Sequence, residues 1–269
     1  MTKYIDISMR LADPLDEFRL FDMAGDAAAA AAAAALYRRV APRQNGGRCV
    51  LAPPLYYLLA AGAADVRAVN DFVLAQARQD RTVAAALGVV EPKYEDDAFR
   101  ELERLASLGG KGVVWSARAQ GVFADDTRLA PLCRRAHELG LRSIFRAAPF
   151  STNEALWRIW RLARECPEVP IVVAGALQTY DYAQFIEANG GGPDNLLYDT
   201  AGWTVSTNPV RLLALVGEQR VLFGSGALAP ADEAAADLQR HLHRAGIAAA
   251  AIERVMWMNA ATHLNLELA

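Results

Sequence analysis

Short apolar runs recur along this chain, each followed by a longer segment of helical periodicity, and that alternation constrains the fold more than any other feature. The runs fall at 4–11, 48–55, 82–90, 111–116, 142–147, 171–174, 196–199 and 220–223. Apart from the first, which alternates apolar with polar residues, they are short, rich in Val, Ile, Leu and Ala, and barely alternate, as strands buried on both faces do. Between them the spacing predicts a helix over 64–80, with Val66, Val69, Val73 and Leu74 inward. Further helices are predicted over 96–108, 129–139, 153–165, 180–188, 209–216, 231–244 and 248–258. A loop and short helix within 13–21 and an alanine-rich helix over 25–40 fill the first interval. The punctuation agrees: Pro53-Pro54 stop the second run, while Gly109-Gly110, Gly140 and Gly190-Gly191-Gly192 stand where a left-handed helix cap is wanted. Eight strand–helix units without a domain-scale linker argue for an α/β fold closed into a (β/α)8 TIM barrel, a single domain over 1–269. An open doubly wound sheet fits less well, because no glycine-rich phosphate fingerprint follows the first strand.

Charge and cysteine usage exclude several function classes. A net charge of -3 and the absence of a basic block leave no electrostatic footprint for nucleic acid or an anionic membrane. The alanine run 27–35 is too short and too weakly apolar to span a bilayer, and no signal-peptide pattern opens the chain. Cys49, Cys133 and Cys166 are widely spaced and odd in number, which suits a reducing compartment. The expectation is a soluble cytoplasmic protein that takes a small-molecule partner and is open to homo-oligomerisation.

The first run, Tyr4-Ile5-Asp6-Ile7-Ser8-Met9-Arg10-Leu11, would put Asp6, Ser8 and Arg10 on one face and Ile5, Ile7 and Met9 on the other. It resembles the first barrel strand of the amidohydrolase superfamily, in the branch of aminocarboxymuconate semialdehyde decarboxylase and pyrone dicarboxylate lactonase. There the strand reads Ile-Asp-x-His-x-His-Leu, and its histidines hold a metal. Gly88-Val89-Val90-Glu91-Pro92, the stretch 109–114, Arg220-Val221-Leu222-Phe223-Gly224-Ser225 and Asn259-Ala260-Ala261 resemble later family motifs in the family's order. The resemblance implies that Ser8 and Arg10 stand where the histidines would. It likewise puts Arg146 and Gly175 at the fifth- and sixth-strand histidine positions, and Gly226 at the eighth-strand aspartate. It therefore implies no metal site of the family type, and no cofactor is expected. His137, His241, His243 and His263 all fall in helical segments; His241 and His243, two apart, read as surface residues.

Arg10 and Arg146 would project from C-terminal strand ends, where barrel enzymes assemble their sites. Two guanidiniums there would recreate the vacated positive charge and hold a carboxylate or a developing oxyanion. The alternative is that they pair with Asp6, Glu91 or Asp199 and plug the cavity. Both readings stay open on sequence alone. Glu91 and Asp199 are the candidate general bases, Arg10 and Arg146 the other catalytic candidates. Ser8, Trp115, Arg118, Tyr180 and Trp203, with Arg10 and Arg146, are the candidates for substrate binding; Lys93 and Gln178 share their loops. Asp6 would hold the barrel floor or an arginine, and Ser225 has no histidine with which to build a triad. The function this implies is a metal-independent hydrolase or lyase for a small carboxylate or cyclic carbonyl compound. The alternative is a non-catalytic pseudoenzyme that binds a metabolite or partner protein.

Overall fold

The protein, seen in a computed structural model, is described over residues 3–10, 46–53, 62–203, 207–226 and 230–266, with the backbone alone given at Met9 and Arg10. The strands are β1 (Tyr4–Arg10), β2 (Gly47–Ala52), β3 (Val83–Gly88), β4 (Gly112–Trp115), β5 (Arg142–Arg146), β6 (Ile171–Ala174), β7 (Leu196–Asp199) and β8 (Val221–Leu222). They form one eight-stranded parallel sheet in chain order. The amide of Ile7 donates to the carbonyl of Phe223 at 3.1 Å, drawing the first strand against the last. With helices between the strands, this is a (β/α)8 TIM barrel. The helices used below are α1 (Ala63–Gln79), α2 (Asp96–Ser107), α3 (Leu129–Glu138), α4 (Leu156–Glu165), α5 (Tyr180–Ala188), α6 (Pro209–Val216) and α7 (Ala231–Arg244). The helices expected over 13–21 and 25–40 lie outside the described residues.

Strand alternation divides the core into two layers. Ile5, Ile7, Val50, Ala52, Ala85, Leu87, Ile144, Val172 and Leu222 pack together inside the barrel. Their sequence neighbours, among them Cys49, Leu51, Val113, Phe145, Val173 and Tyr198, face outward and meet the helices. Asn70 of α1, fully buried, clamps the chain just beyond β3: its amide donates to the Val89 carbonyl at 2.8 Å and its oxygen accepts from the Val89 amide at 2.8 Å. The same amide reaches Glu101 of α2 at 2.7 Å, so one side chain joins strand and two helices.

The C-terminal segment closes the floor. Helix α8 (Ala249–Glu253) continues through a π-helical turn (Arg254–Met258) into α9 (Asn259–His263), placing Ala260 and Leu264 in the inner apolar layer. Asn259 donates to the carbonyls of Glu218 and Val221 at 2.6 and 2.7 Å. Arg142, at the start of β5, donates to the His263 carbonyl, and Lys111, just before β4, reaches that of Asn265. Two cations thus satisfy carbonyls at the helix C-terminus, where positive charge is favoured.

One expectation about β1 is corrected. Its ladder with β2 pairs Asp6 with Cys49 but Met9 with Leu51, so the strand carries an extra residue between Asp6 and Met9. A bulge of this kind reverses the alternation beyond it. Asp6 therefore shares the outward side with Tyr4, whereas Arg10 falls in register with Ala52 of the inner layer.

Candidate active site

Arg146 ends β5 two residues after the inward-facing Ile144, and its register partner on β6 is Ala174. Its side chain is one-fifth exposed. The nearest carboxylate is none of those expected from the sequence. It is Glu154, fully buried in the loop between β5 and α4, with Oε2 4.0 Å from Arg146 Nη1. Glu154 Oε1 accepts from the Ser116 hydroxyl at 2.9 Å and the Arg118 amide at 3.3 Å, which fixes the carboxylate against the end of β4. Among the described residues its second oxygen, Oε2, is buried and accepts no hydrogen bond, and Nε and Nη1 of Arg146 are buried and donate none. At 4.0 Å the pair is an ion pair without a hydrogen bond. Sequence reasoning missed Glu154. The local signal, Ser151 three residues before Glu154, has the spacing of a helix capping box.

A second cluster joins β7, β8 and β1. Asp199 ends β7 and is fully buried; its Oδ1 accepts from the amides of Gly175 at 2.8 Å and Ala201 at 3.2 Å. A Cβ placed on Gly224 would lie 2.7 Å from Asp199 Oδ2 and 3.0 Å from Ser8 Oγ, so glycine there lets the two polar groups approach. Ser8 Oγ donates to Asp6 Oδ1 at 3.0 Å and accepts from the Gly226 amide at 2.7 Å. Asp6 Oδ1 also accepts from the amides of Ser8 and Ser225, each at 3.0 Å. Burial raises the Asp6 carboxyl above its ordinary range, against the pull of the hydrogen bonds from Ser225 and Ser8. Asp6 thus seals the seam between β1 and β8 at the strand ends, rather than the floor.

The other expected residues divide. Glu91 follows β3 and is buried, with Gln120 beside it donating to the Val90 carbonyl at 2.7 Å. Gln178 lies over Gly175 and Gly202, at the ends of β6 and β7. Arg118 and Lys93 are exposed at the same end of the barrel. Arg10 is placed by its backbone alone. Three of the substrate-binding candidates have other neighbours. Trp115 points outward, fully buried in the outer core and stacked on Phe145 at 5.7 Å, because its position on β4 alternates with the inward Val114. Tyr180 stands half-exposed at the start of α5, facing a groove with Asn208 and Arg211 of the α6 region, and bonds to Gln184. Trp203 packs on His241 of α7 at 4.8 Å, which also takes His241 off the free surface.

The site therefore sits on the C-terminal strand ends of an eight-stranded parallel barrel, with buried carboxylates on β7 and on the β3 and β5 loops. The sequence pattern of the amidohydrolase family matches residues 5–266. The chain belongs to the amidohydrolase family. Among curated proteins none matches its sequence. Solved structures with similar folds include 5-carboxyvanillate decarboxylase from Sphingomonas paucimobilis, at TM-score 0.68 and 17% identity over 99% of this chain and 100% of that one. A 2,6-dihydroxybenzoate decarboxylase from Rhizobium gives a TM-score of 0.69 at 15% identity, over 98% and 99% of the two chains. A dihydroxybenzoic acid decarboxylase from Polaromonas, solved with manganese and 2-nitroresorcinol, gives 0.68 at 16%, over 98% and 97%. At such identities the likeness is one of fold.

A metal of the family kind needs lone-pair donors at several strand ends. Arg146 has none to give, Gly175 and Gly226 have no side chain, and the Ser8 hydroxyl is engaged by Asp6 and the Gly226 amide. Among the described residues no three His, Cys, Asp or Glu side chains gather as a metal would require. Among the described residues, these positions do not supply the donors such a metal would need. Among the described residues, too, no helix is long and apolar enough to cross a membrane.

Proposed function

We propose that this amidohydrolase acts as a metal-independent lyase on a small carboxylate-bearing substrate, with Arg146 as its electrophilic group. The observation that carries the reading is the Arg146 guanidinium at the end of β5, with Nε and Nη1 buried and donating to nothing among the described residues. A buried cation with unused donors is costly to keep and suits an oxyanion. The names of the fold neighbours, 5-carboxyvanillate and 2,6-dihydroxybenzoate decarboxylases, support the lyase and carboxylate part of this reading.

Lyase chemistry is favoured over hydrolysis on physical grounds. A guanidinium stabilises negative charge but does not lower the pKa of a bound water as a metal does. Hydrolysis would need hydroxide from another source, whereas breaking a carbon–carbon bond needs only a place for the electrons and a proton exchanger. Arg146 would hold the fragment into which charge flows. Were it to grip the departing carboxylate itself, it would stabilise the ground state more than the transition state. Asp199 is the proposed proton exchanger: it is borne one strand beyond β6, and the intervening Gly175 has no side chain to stand between it and Arg146. Glu91 is the second candidate. Ser8, Arg10, Arg118 and Gln178 complete the proposed lining.

The test is a screen of small mono- and dicarboxylates, keto acids and lactones for thermal stabilisation and turnover, with and without chelator. The expected outcome is a carboxylate that stabilises the wild type, whose turnover survives chelation, falls about 10²- to 10⁴-fold in Asp199→Asn, and is lost in Arg146→Met. Activity that disappears with chelator and returns with manganese would refute the metal-independent reading. Binding without turnover across the screen would leave a metabolite-binding protein in its place.

A further inference from the structure

We infer that the gap between Arg146 and Glu154 is a subsite that reads a hydroxyl group on the substrate, making Glu154 a specificity-determining residue. The inference rests on the proposed carboxylate reading and adds to it.

Among the described residues Glu154 Oε2 is an acceptor with no donor and Arg146 Nη1 a donor with no acceptor, 4.0 Å apart. That separation is too long for a direct hydrogen bond. It is also too short for two oxygens in series. One oxygen placed about 2.8 Å from both atoms would see them at an angle of about 90°, near that between the donor and acceptor directions of a tetrahedral oxygen. The bridging group must accept from the guanidinium and donate to the carboxylate. A hydroxyl does both. A carboxylate oxygen accepts but does not donate, and it would meet the Glu154 charge; an ammonium donates but does not accept.

The surrounding charge supports the same choice. Asp6, Glu91, Glu154 and Asp199 are all buried at this end of the barrel, so a bare anion placed beside Glu154 faces repulsion that a neutral hydroxyl avoids. Arg146 Nε, a second donor of the same guanidinium without a partner among the described residues, stays available for an anionic group on the fragment into which charge flows, not for the departing carboxylate. The ligand class that satisfies both is a carboxylate carrying a nearby hydroxyl. Glu154 is held for this task from the other side: with Oε1 committed to Ser116 and the Arg118 amide, Oε2 cannot turn away.

The experiment compares matched ligands that differ by one hydroxyl, propanoate with lactate, succinate with malate and butanoate with its hydroxylated forms. Calorimetry is run on the wild type, Glu154→Gln and Arg146→Met. A hydrogen bond to a buried charge predicts at least one hydroxylated member binding about ten-fold tighter to the wild type. In Glu154→Gln the amide oxygen stays with Ser116 and the Arg118 amide, which only donates, so the NH2 faces the gap. The preference should then fall to about two-fold or less. Carboxylates that bind the wild type and need Arg146, but show no hydroxyl preference and no change in Glu154→Gln, would overturn the subsite while leaving the lyase reading intact, a water then bridging the gap. Failure of every carboxylate to bind folded wild type would overturn both. Should Glu154→Gln not fold, the matched ratios on the wild type decide.

Discussion

Removing both partners of the Arg146–Glu154 pair should cost well under the sum of removing each alone, and the size of the difference follows from the geometry. Two unit charges 4.0 Å apart attract by about 4 kcal/mol at an effective dielectric near 20. Arg146→Met deletes that attraction and strands a fully buried carboxylate whose compensation is the Ser116 hydroxyl and the Arg118 amide. Those two bonds survive, so the expected loss is about 3 kcal/mol, at the low end for a broken buried pair. Glu154→Gln should cost less, about 1.5 kcal/mol, because the cation left behind is one-fifth exposed and partly hydrated. The double variant has no stranded charge, and its expected loss is about 2 kcal/mol, from a buried amide NH2 facing a methionine. The coupling is then about 2.5 kcal/mol. Urea unfolding of the four proteins measures it through the midpoints and slopes. A buried pair should also keep most of this coupling when ionic strength is raised. If the single losses add to the double within about 0.5 kcal/mol, the two side chains do not interact and the site argument loses its basis.

Two titrations should act on stability in opposite directions. The Asp6 carboxyl is raised above its ordinary 3.8 by burial, so the stability it contributes is present below about pH 4 and lost as pH rises through its folded value. Asp6→Asn should flatten that fall in a plot of Tm against pH; an unchanged slope would count against a charged, buried Asp6. His263, half-buried at the floor, is pushed down from 6.5 to about 3 by burial and then by the charges of Arg142 and His137. A depressed value means stability that is present above pH 6.5 and lost as pH falls toward 3. His263→Gln should blunt this acid loss, and equal acid midpoints for variant and wild type would refute it. Asn70→Ala should cost about 2–4 kcal/mol in urea unfolding, since it leaves the Val89 amide and carbonyl and Glu101 without their buried partner; a loss under 1 kcal/mol would show that those groups find other partners. Gly192→Ala should destabilise by about 1–3 kcal/mol, because its Cβ would meet the Trp160 ring at 2.5 Å and φ there is +73°.

Local signals carried the helices and strands well. The helices over 180–188, 209–216 and 231–244 and the strands over 171–174 and 196–199 have the expected bounds, because strong apolar runs end at glycine or at a cap such as Thr179 or Asn208. Strand ends were placed less sharply: the run 82–90 is strand only over Val83–Gly88, since Val89 is held by Asn70 from α1 instead of by a neighbouring strand. The family resemblance, too, was readable, for it lies in short motifs and their order.

What a side chain faces is another matter, since it depends on residues distant in sequence. Trp115 and Arg146 both sit at strand ends and looked equivalent; the parity of each strand against the barrel axis sent one into the outer core and the other toward the interior. On β1 an extra residue between Asp6 and Met9 reversed that parity, and nothing in Ile7-Ser8 announces it. The partner of Arg146 was decided the same way. Glu154 reads locally as the third residue of a helix cap, and it becomes the buried counter-charge only because the ends of β4 and β5 bring Ser116, the Arg118 amide and Arg146 around it. Periodicity and caps are properties of neighbours along the chain, and so the barrel and its family were determined by the sequence. The Arg146–Glu154 gap is a distance between loops, and only closing the barrel sets it.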